Sequence, residues 1–244
     1  MKGSVIMDEV AKLQKLIDES DNIIFFGGAG VSTDSGIKDF RGKNGLYKEK
    51  QLVNRSPEYM LSIKCLINEP ELFFDYYQNK MNCLDAEPNI THKYLTKLES
   101  TGKLKAIITQ NIDGLHQKAG SKNVLELHGT TLKCHCMKCH KEYDGKLLYE
   151  GGIPKCTCGG TLRPDIVLYG EMLPDCFNDA IYLLSKADLL IVAGTSLTVE
   201  PAASLVRLFN GKHLVIINRD PTPYDRLAEL VINTPMGEIF SKLK

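Results

Sequence analysis

Residues 22–26, Asn-Ile-Ile-Phe-Phe, read as a buried strand, and the chain then turns at once on Gly27-Gly28-Ala29-Gly30. Glycines between a strand and a helix let the backbone approach a pyrophosphate, and the helix N-terminus adds free N–H groups. More strand-length apolar runs follow at 104–109, 124–127, 188–193 and 213–217. Helical patterns alternate with them. The first covers 8–20, where Val10, Leu13, Leu16 and Ile17 recur at helical spacing. Others cover 56–82 in two pieces broken near Asn68 and Pro70, then Pro88 to about Leu98, 175–186 and 200–209. Strands alternating with helices predict βαβ units and a parallel sheet. Over 134–160 the apolar period gives way to Cys and Gly, which predicts a small inserted module.

Charge removes one class of function. Lys+Arg 30 balances Asp+Glu 30 over 244 residues, whereas a nonspecific nucleic-acid binder needs a basic excess. The start carries Lys2, Asp8 and Glu9 without an apolar core, and no apolar run reaches membrane length. A cytoplasmic chain is expected, with no membrane partner. In a reducing compartment eight Cys point to metal ligation rather than disulfides.

The strand ends carry the polar chemistry. Gly28-Ala29-Gly30-Val31-Ser32-Thr33 lacks the third glycine of the dinucleotide fingerprint, and no acidic residue ends a second strand about 20 residues on. The other ends still converge on a ligand of that kind. Strand 104–109 runs into Gln110-Asn111-Ile112-Asp113, 188–193 into Gly194-Thr195-Ser196, and 213–217 into Asn218-Arg219-Asp220. Ligands of open α/β sheets sit outside the carboxyl ends of strands, so these clusters predict one large polar ligand such as a dinucleotide. Asp39, Phe40 and Arg41 add an acid, a ring to cover a planar group, and a guanidinium for phosphate. His128 follows strand 124–127 and precedes Gly129, so it projects from a strand end as a candidate base. His92 and His116 read as hydrogen-bonded structural groups.

Cys136-x-x-Cys139 and Cys156-x-Cys158, sixteen residues apart, fit a closed four-thiolate zinc site, which is structural. Cys134 is the alternative ligand in the crowded first knuckle. Cys65, Cys83 and Cys176 lie in helical patterns and read as core thiols.

Taken in order, these motifs resemble the sirtuins, NAD-dependent protein-lysine deacylases, from about residue 8 to about 240. The motifs are Gly28-Ala29-Gly30-x-Ser32, Gly36-Ile37-x-Asp39-Phe40-Arg41, Gln110-Asn111-Ile112-Asp113 and His128-Gly129, then the Cys knuckles, Val167-Leu168-Tyr169-Gly170-Glu171, Gly194-Thr195-Ser196-Leu197 and Asn218. The resemblance implies an α/β protein: a Rossmann-like parallel-sheet domain (1–42, 84–132 and 162–244), a helical insertion (43–83) and a small zinc-binding module (133–161). It implies NAD as co-substrate, one structural zinc per chain and acetylated lysine peptides or proteins as partners.

Carried over, Gly28, Ala29, Gly30, Thr33, Phe40, Arg41, Gln110, Ile112, Asp113, Gly194, Thr195, Ser196 and Asn218 would bind NAD. Asn111 and Asp113 would shape the nicotinamide and ribose region, and Val167, Tyr169 and Gly170 would pair with the substrate backbone. The acyl oxygen would attack the ribose anomeric carbon as nicotinamide leaves, with His128 then acting as general base on the ribose hydroxyls. Tyr77-x-x-Lys80 stands where relatives that remove acidic acyl groups carry Tyr-x-x-Arg. Lys lacks the bidentate fork that suits a carboxylate, so acetyl is expected over succinyl.

Three rivals remain at this point. One is protein ADP-ribosyl transfer in the same NAD pocket. Another is a dehydrogenase with a zinc insertion, against which the missing fingerprint residues count. The third is a zinc-ribbon module docking on nucleic acid. Lys133, Lys138, Lys141, Lys146 and Lys155 make that module mildly basic, but it lacks interleaved aromatics, so no specific nucleic acid is expected.

Overall fold

The computed structural model describes residues 2–40, 42, 45–46 and 55–244. Among them the helices are α1 (Lys2–Asp18), α2 (Pro57–Met60), α3 (Ile63–Asn68), α4 (Pro70–Lys80), α5 (Ile90–Ser100), α6 (Leu115–Lys118), α7 (Cys176–Leu184), α8 (Leu205–Leu208) and α9 (Met236–Phe240). The strands are β1 (Ile23–Gly27), β2 (Leu104–Thr109), β3 (Val124–Glu126), β4 (Gly129–Cys136), β5 (Glu142–Asp144), β6 (Leu162–Ile166), β7 (Leu189–Ala193), β8 (His213–Ile217) and β9 (Leu230–Ile232).

Six strands form one parallel sheet in the order β3-β2-β1-β7-β8-β9. This is the doubly wound order. The chain leaves β1 toward β2 and later returns on the far side at β7, so a crevice opens beyond the ends of β1 and β7. Register sets what meets there. Gly27 lies level with Thr109 and with Ala193, and Ala193 with Ile217. Gly28, Gln110, Gly194 and Asn218 therefore leave the sheet side by side.

Both faces of the sheet are covered, as a parallel sheet requires. Ile23 and Phe25 pack with Leu13, Ile17, Leu95 and Phe240. Ile24 and Phe26 pack on the opposite face with Ala180, Leu184, Leu205 and Val206. Each such fully buried Leu, Ile, Val or Phe side chain contributes roughly 1.5–3 kcal/mol of hydrophobic transfer. A separate core joins Leu61, Cys65, Phe73, Phe74 and Tyr77 of α2–α4 to Cys134, Leu148, Leu162 and Ile166. The inserted module itself is an antiparallel sheet in the order β5-β4-β6, which runs from Gly129 to Ile166.

Several elements differ from the sequence reading for local reasons. The first helix begins at Lys2 and stops at Asp18. The Lys103 ammonium gathers the carbonyls of Ile17, Asp18 and Ser20 at 3.0, 2.6 and 3.0 Å, so the orphan acceptors of the helix end are satisfied there. The insertion has three helices among the described residues. Ser56 and Ser62 each accept a helix N-terminal N–H, from Tyr59 and Cys65 respectively, and so start α2 and α3 separately. Asn89, rather than Pro88, caps α5, in a capping box with His92. The 200–209 pattern splits into a 3₁₀ turn at Ala202–Ser204 and α8. Edge strand β9 was not expected, being only three residues long. Cys65 is buried as expected, whereas Cys83 and Cys176 are only part-buried.

His92 and His116 are buried with ring centroids 4.7 Å apart, and His116 also packs edge-on against Phe25. The Asn89 N–H reaches His92 Nδ1 at 3.3 Å, but neither ring nitrogen of His116 finds a hydrogen-bond partner among the described residues. Desolvation pulls His92 down to about 4. Desolvation, and then His92 itself, pull His116 down to about 3.

In the unfolded chain both imidazoles take a proton near pH 6.5, whereas in the folded chain they resist it. The unfolded state then binds more protons, so stability is full above pH 6.5 and falls as pH drops toward 4. With both groups contributing, the expected loss is about 2–3 kcal/mol between pH 7 and pH 5.5. Urea midpoints measured from pH 7 to 5.5 on zinc-loaded protein check this. A His92→Leu/His116→Leu variant that keeps the wild-type slope would assign the acid sensitivity elsewhere.

Candidate active site

The glycines after β1 serve backbone proximity. A Cβ on Gly28 would lie 2.6 Å from Thr195 Cβ, and one on Gly30 2.7 Å from Gly194 Cα. The Gly30 N–H donates to the Gly194 carbonyl at 2.7 Å, and Gly194 itself has φ +61. The two turns at the switch point thus interlock main chain to main chain, which leaves Ala29, Thr33 and Ser196 on the cleft. Gln110 bridges them: its N–H donates to the Gly27 carbonyl at 2.9 Å, and its Oε1 accepts the Thr195 hydroxyl at 2.8 Å.

The cleft has a volume of about 1170 Å³. That exceeds the roughly 300–1,000 Å³ of a drug-sized ligand site and leaves room for a dinucleotide beside a peptide side chain. The structure brings Ala29, Gly30, Thr33, Phe40, Gln110, Asn111, Ile112, Asp113, His128, Val167, Tyr169, Gly170, Gly194, Thr195, Ser196 and Asn218 onto this one surface. Gly28 lies behind it, and Arg41 lies outside the described residues.

At the cleft floor three polar side chains form a directed chain. The Asn111 amide donates to Ser32 Oγ at 3.0 Å, the Ser32 hydroxyl donates to Asp113 Oδ2 at 2.6 Å, and the Leu115 N–H donates to Asp113 Oδ1 at 2.9 Å. All three side chains are buried. Desolvation raises the Asp113 carboxyl above its ordinary range, against the lowering effect of Ser32 and Leu115. Ser32, on the 3₁₀ segment Ala29–Ser35, bridges two chain-distant residues, a role that motif spacing does not reveal. Arg219 of the third strand-end cluster also lines the cleft, 3.9 Å from Asp39 and 3.4 Å from Asp220.

His128 Nδ1 lies 2.9 Å from the Gln110 carbonyl oxygen. A carbonyl only accepts, so Nδ1 carries the proton and Nε2 keeps its lone pair. Desolvation lowers the imidazole pKa, opposed by that bond to Gln110, so the ring is neutral at pH 7. The geometry thus supplies a neutral base with a fixed tautomer at the cleft wall.

The acyl-selectivity pair is not brought together. Tyr77 is fully buried, stacked on Phe73 and Tyr149, while Lys80 lines the cleft beside Asn79 and Met81. Tyr77 thus does not reach the cleft, whereas Lys80, on which the acetyl-over-succinyl expectation rests, lines it. The Tyr77 ring belongs to the core stripe with Phe73 and Phe74.

In the module, the sulfurs of Cys136, Cys139, Cys156 and Cys158 lie within 4.8 Å of one another. The Cys136–Cys158, Cys139–Cys156 and Cys158–Cys139 separations are 3.5, 3.6 and 3.4 Å. Tetrahedral thiolates at about 2.3 Å from zinc stand roughly 3.8 Å apart, so the donor set fits one ion. The Cys158 N–H and the Tyr143 hydroxyl pull Cys156 down to about 5. The Gly160 N–H lowers Cys158, but the thiols of Cys139, Cys156 and Cys136 overcome it and push Cys158 up to about 12. A divalent cation removes that conflict by ligating all four as thiolates. Cys134 lies outside the cluster, buried, with its thiol 3.4 Å from the Asp144 carbonyl.

A doubly wound sheet, a cleft with polar strand-end residues at its switch point and a Cys₄ module define a dinucleotide-using α/β enzyme with a structural metal site. The chain belongs to the Sir2 family, whose model matches residues 28–201. It is 52% identical over 240 residues to the NAD-dependent protein deacetylase of Clostridium perfringens (strain 13 / Type A), covering 97% of this chain and 98% of that protein. It is 47% identical over 235 residues to the one from Cutibacterium acnes, covering 96% of each. Among solved structures it resembles a Sir2 protein with deacetylated p53 peptide and 3′-O-acetyl-ADP-ribose (TM-score 0.88, 40% identity, 96% of each chain). It also resembles Sir2 with p53 peptide and NAD+ (TM-score 0.83, 40% identity, 95% of each chain).

Proposed function

We infer that the chain is an NAD-dependent protein-lysine deacetylase that releases nicotinamide and O-acetyl-ADP-ribose. The observation that carries this reading is the convergence of four strand-end clusters and a neutral His128 on one cleft, in a Sir2-family chain. We assign the dinucleotide to the residues beyond β1, β2, β7 and β8, with Arg41 at a phosphate. Asn111 and Asp113, joined through Ser32, orient the nicotinamide ribose. His128 Nε2 takes the proton of a ribose hydroxyl after the acyl oxygen has attacked.

The peptide is read as an added strand on Val167, Tyr169 and Gly170. The Tyr169 N–H donates to the Leu61 carbonyl at 3.0 Å, and the Ile63 N–H donates to the Tyr169 carbonyl at 3.1 Å. The main-chain groups offered to the peptide are therefore the Val167 carbonyl and those of Gly170, which have no backbone partner among the described residues. Zinc, held by Cys136, Cys139, Cys156 and Cys158, supplies only structure, because four thiolates leave no open coordination position.

No helix among the described residues is long and apolar enough to cross a membrane. Eight cysteines, four of them in one cluster, suit a reducing compartment, and we assign the chain to the cytoplasm, with no specific nucleic acid partner.

Mass spectrometry of an acetyl-lysine peptide incubated with and without NAD tests the reading. Acetyl loss is expected only with NAD, together with equimolar nicotinamide and O-acetyl-ADP-ribose. Acetyl loss at equal rate without NAD rejects it. An ADP-ribosylated acceptor with the acetyl retained would move the assignment to protein ADP-ribosyl transfer.

A further inference from the structure

The segment read as the peptide strand is bracketed by one ion pair. Arg163, in β6, meets Glu171 fork to carboxylate, with Nη1–Oε1 at 2.5 Å and Nη2–Oε2 at 2.9 Å. The same guanidinium donates through Nη2 to the Ile166 carbonyl at 3.0 Å and through Nε to the Pro164 carbonyl at 3.2 Å. Glu171 Oε2 also accepts the Leu168 N–H at 2.8 Å, and the Glu171 N–H returns to the Leu168 carbonyl at 3.0 Å. Between these anchors Gly170 sits at φ +96, a left-handed conformation that other residues resist. The pair is well shielded, with side chains 12% and 24% exposed. It is therefore not a loose surface contact.

Its neighbours give the pair a task. The Val167 N–H donates to the His128 carbonyl at 2.9 Å, so the bracketed segment leans directly on the proposed base. On the other side, Arg163 is paired in register with His135, the residue before the zinc ligand Cys136. The ion pair thus stands where module, peptide segment and base meet.

We propose that Arg163 and Glu171 are positioning residues for the acyl-lysine peptide, holding 167–170 in the conformation the peptide strand requires and tying it to the zinc module. This rests on the reading of 167–170 as the peptide strand. Neither residue touches the reacting atoms. A lysine cannot replace Arg163, because one ammonium cannot hold both carboxylate oxygens and the Ile166 carbonyl in fixed directions. Without the pair, 167–170 samples other conformations, and apparent peptide affinity falls by the fraction that remains competent.

The test compares wild type, Glu171→Gln and Arg163→Lys for the KM of an acetyl-lysine peptide, the KM of NAD, kcat at saturation and zinc content. A competent fraction of about one tenth gives about a 10-fold rise in peptide KM. NAD KM and zinc content are expected to stay within about twofold in the same variants. An unchanged peptide KM in Glu171→Gln overturns the proposal. A parallel rise in both KM values or loss of zinc in that variant also overturns it, because the pair would then be merely structural. Photocrosslinking of wild type with an acetyl-lysine peptide carrying a photoreactive neighbour separates the premise from the proposal. Labelling within 167–170 supports the peptide strand. Labelling elsewhere rejects that reading, and the proposal with it, whatever the variants do.

Discussion

Serine in place of Cys139 or Cys158 is expected to cost the protein its zinc, its ordered module and all measurable deacetylation. Four sulfurs lie within 4.8 Å of one another in two facing knuckles, the donor set of a single zinc ion. The turn around the second knuckle is made by Cys156 N–H to the Gly160 carbonyl and Gly159 N–H to the Cys156 carbonyl, each at 2.8 Å. Without an ion, and against the lowering Gly160 N–H, the crowded sulfurs push Cys158 up to about 12, so the four cannot all stand there as thiolates. Structural zinc in small modules contributes apparent free energies of about 10–16 kcal/mol at pH 7, comparable to the whole stability of a domain. Removing one ligand leaves a three-thiolate site and an unsatisfied ion. The loss should spread, because the core of the module is also the core of α2–α4, through Phe73, Phe74, Cys134 and Leu162. Metal analysis and peptide turnover on the same preparation check this. Active protein that contains no zinc would refute the assignment. Cys134→Ser is expected to keep its zinc, since Cys134 bonds the Asp144 carbonyl instead; zinc loss there, with retention in Cys136→Ser, would exchange the two thiols.

What could be read from the sequence followed where local signals were strong. The four longest strands of the parallel sheet are apolar on both faces and end in polar clusters, so periodicity and punctuation agree. β9 has three residues and takes its place only by pairing with β8, a tertiary cause that leaves no periodic trace. The module strands were invisible for the same kind of reason: Cys, Lys and Thr in β4 follow metal and turn geometry rather than an apolar period. In the insertion, the helical pattern over 56–68 hides the break between α2 and α3, which the Ser62 side chain makes by accepting the Cys65 N–H.

The candidate site divides in the same way. Strand-end residues could be assigned because parallel register carries each of them to one edge. Tyr77 could not be placed, because a Tyr at helical spacing with Phe73 and Phe74 fits core and pocket equally until the helix is oriented. Ser32 and Arg163 were beyond reach for a different reason. Each acts through a partner far off in the chain or across a turn, Ser32 through Asn111 and Asp113, Arg163 through Glu171. Sequence spacing names donors and acceptors but not which of them meet.

His128→Ala is expected to lower net deacetylation by about 10²–10⁴-fold, the usual contribution of a positioned general base. The structure makes the replacement a clean one. His128 is part-buried on the cleft wall, its ring makes one hydrogen bond to a main-chain carbonyl, and its own carbonyl is held by Val167 whatever the side chain. Zinc content and fold should therefore survive. Because Gln110 fixes the proton on Nδ1, the base works only while the ring is neutral. Burial lowers its pKa, so the acid limb of kcat/KM should fall below the ordinary imidazole value of about 6.5, and the limb should vanish in the variant. Timing gives a second readout. If the base acts on the ribose after the acyl oxygen has attacked, exchange of labelled nicotinamide into NAD should survive better in the variant than net deacetylation. A ring that merely packed near the module would behave otherwise, with Tm and both activities falling together. A folded, zinc-loaded His128→Ala protein with near-native deacetylation would remove His128 from the chemistry. Asp113, at the end of the Asn111–Ser32 chain, would then be a candidate proton acceptor on the cleft floor.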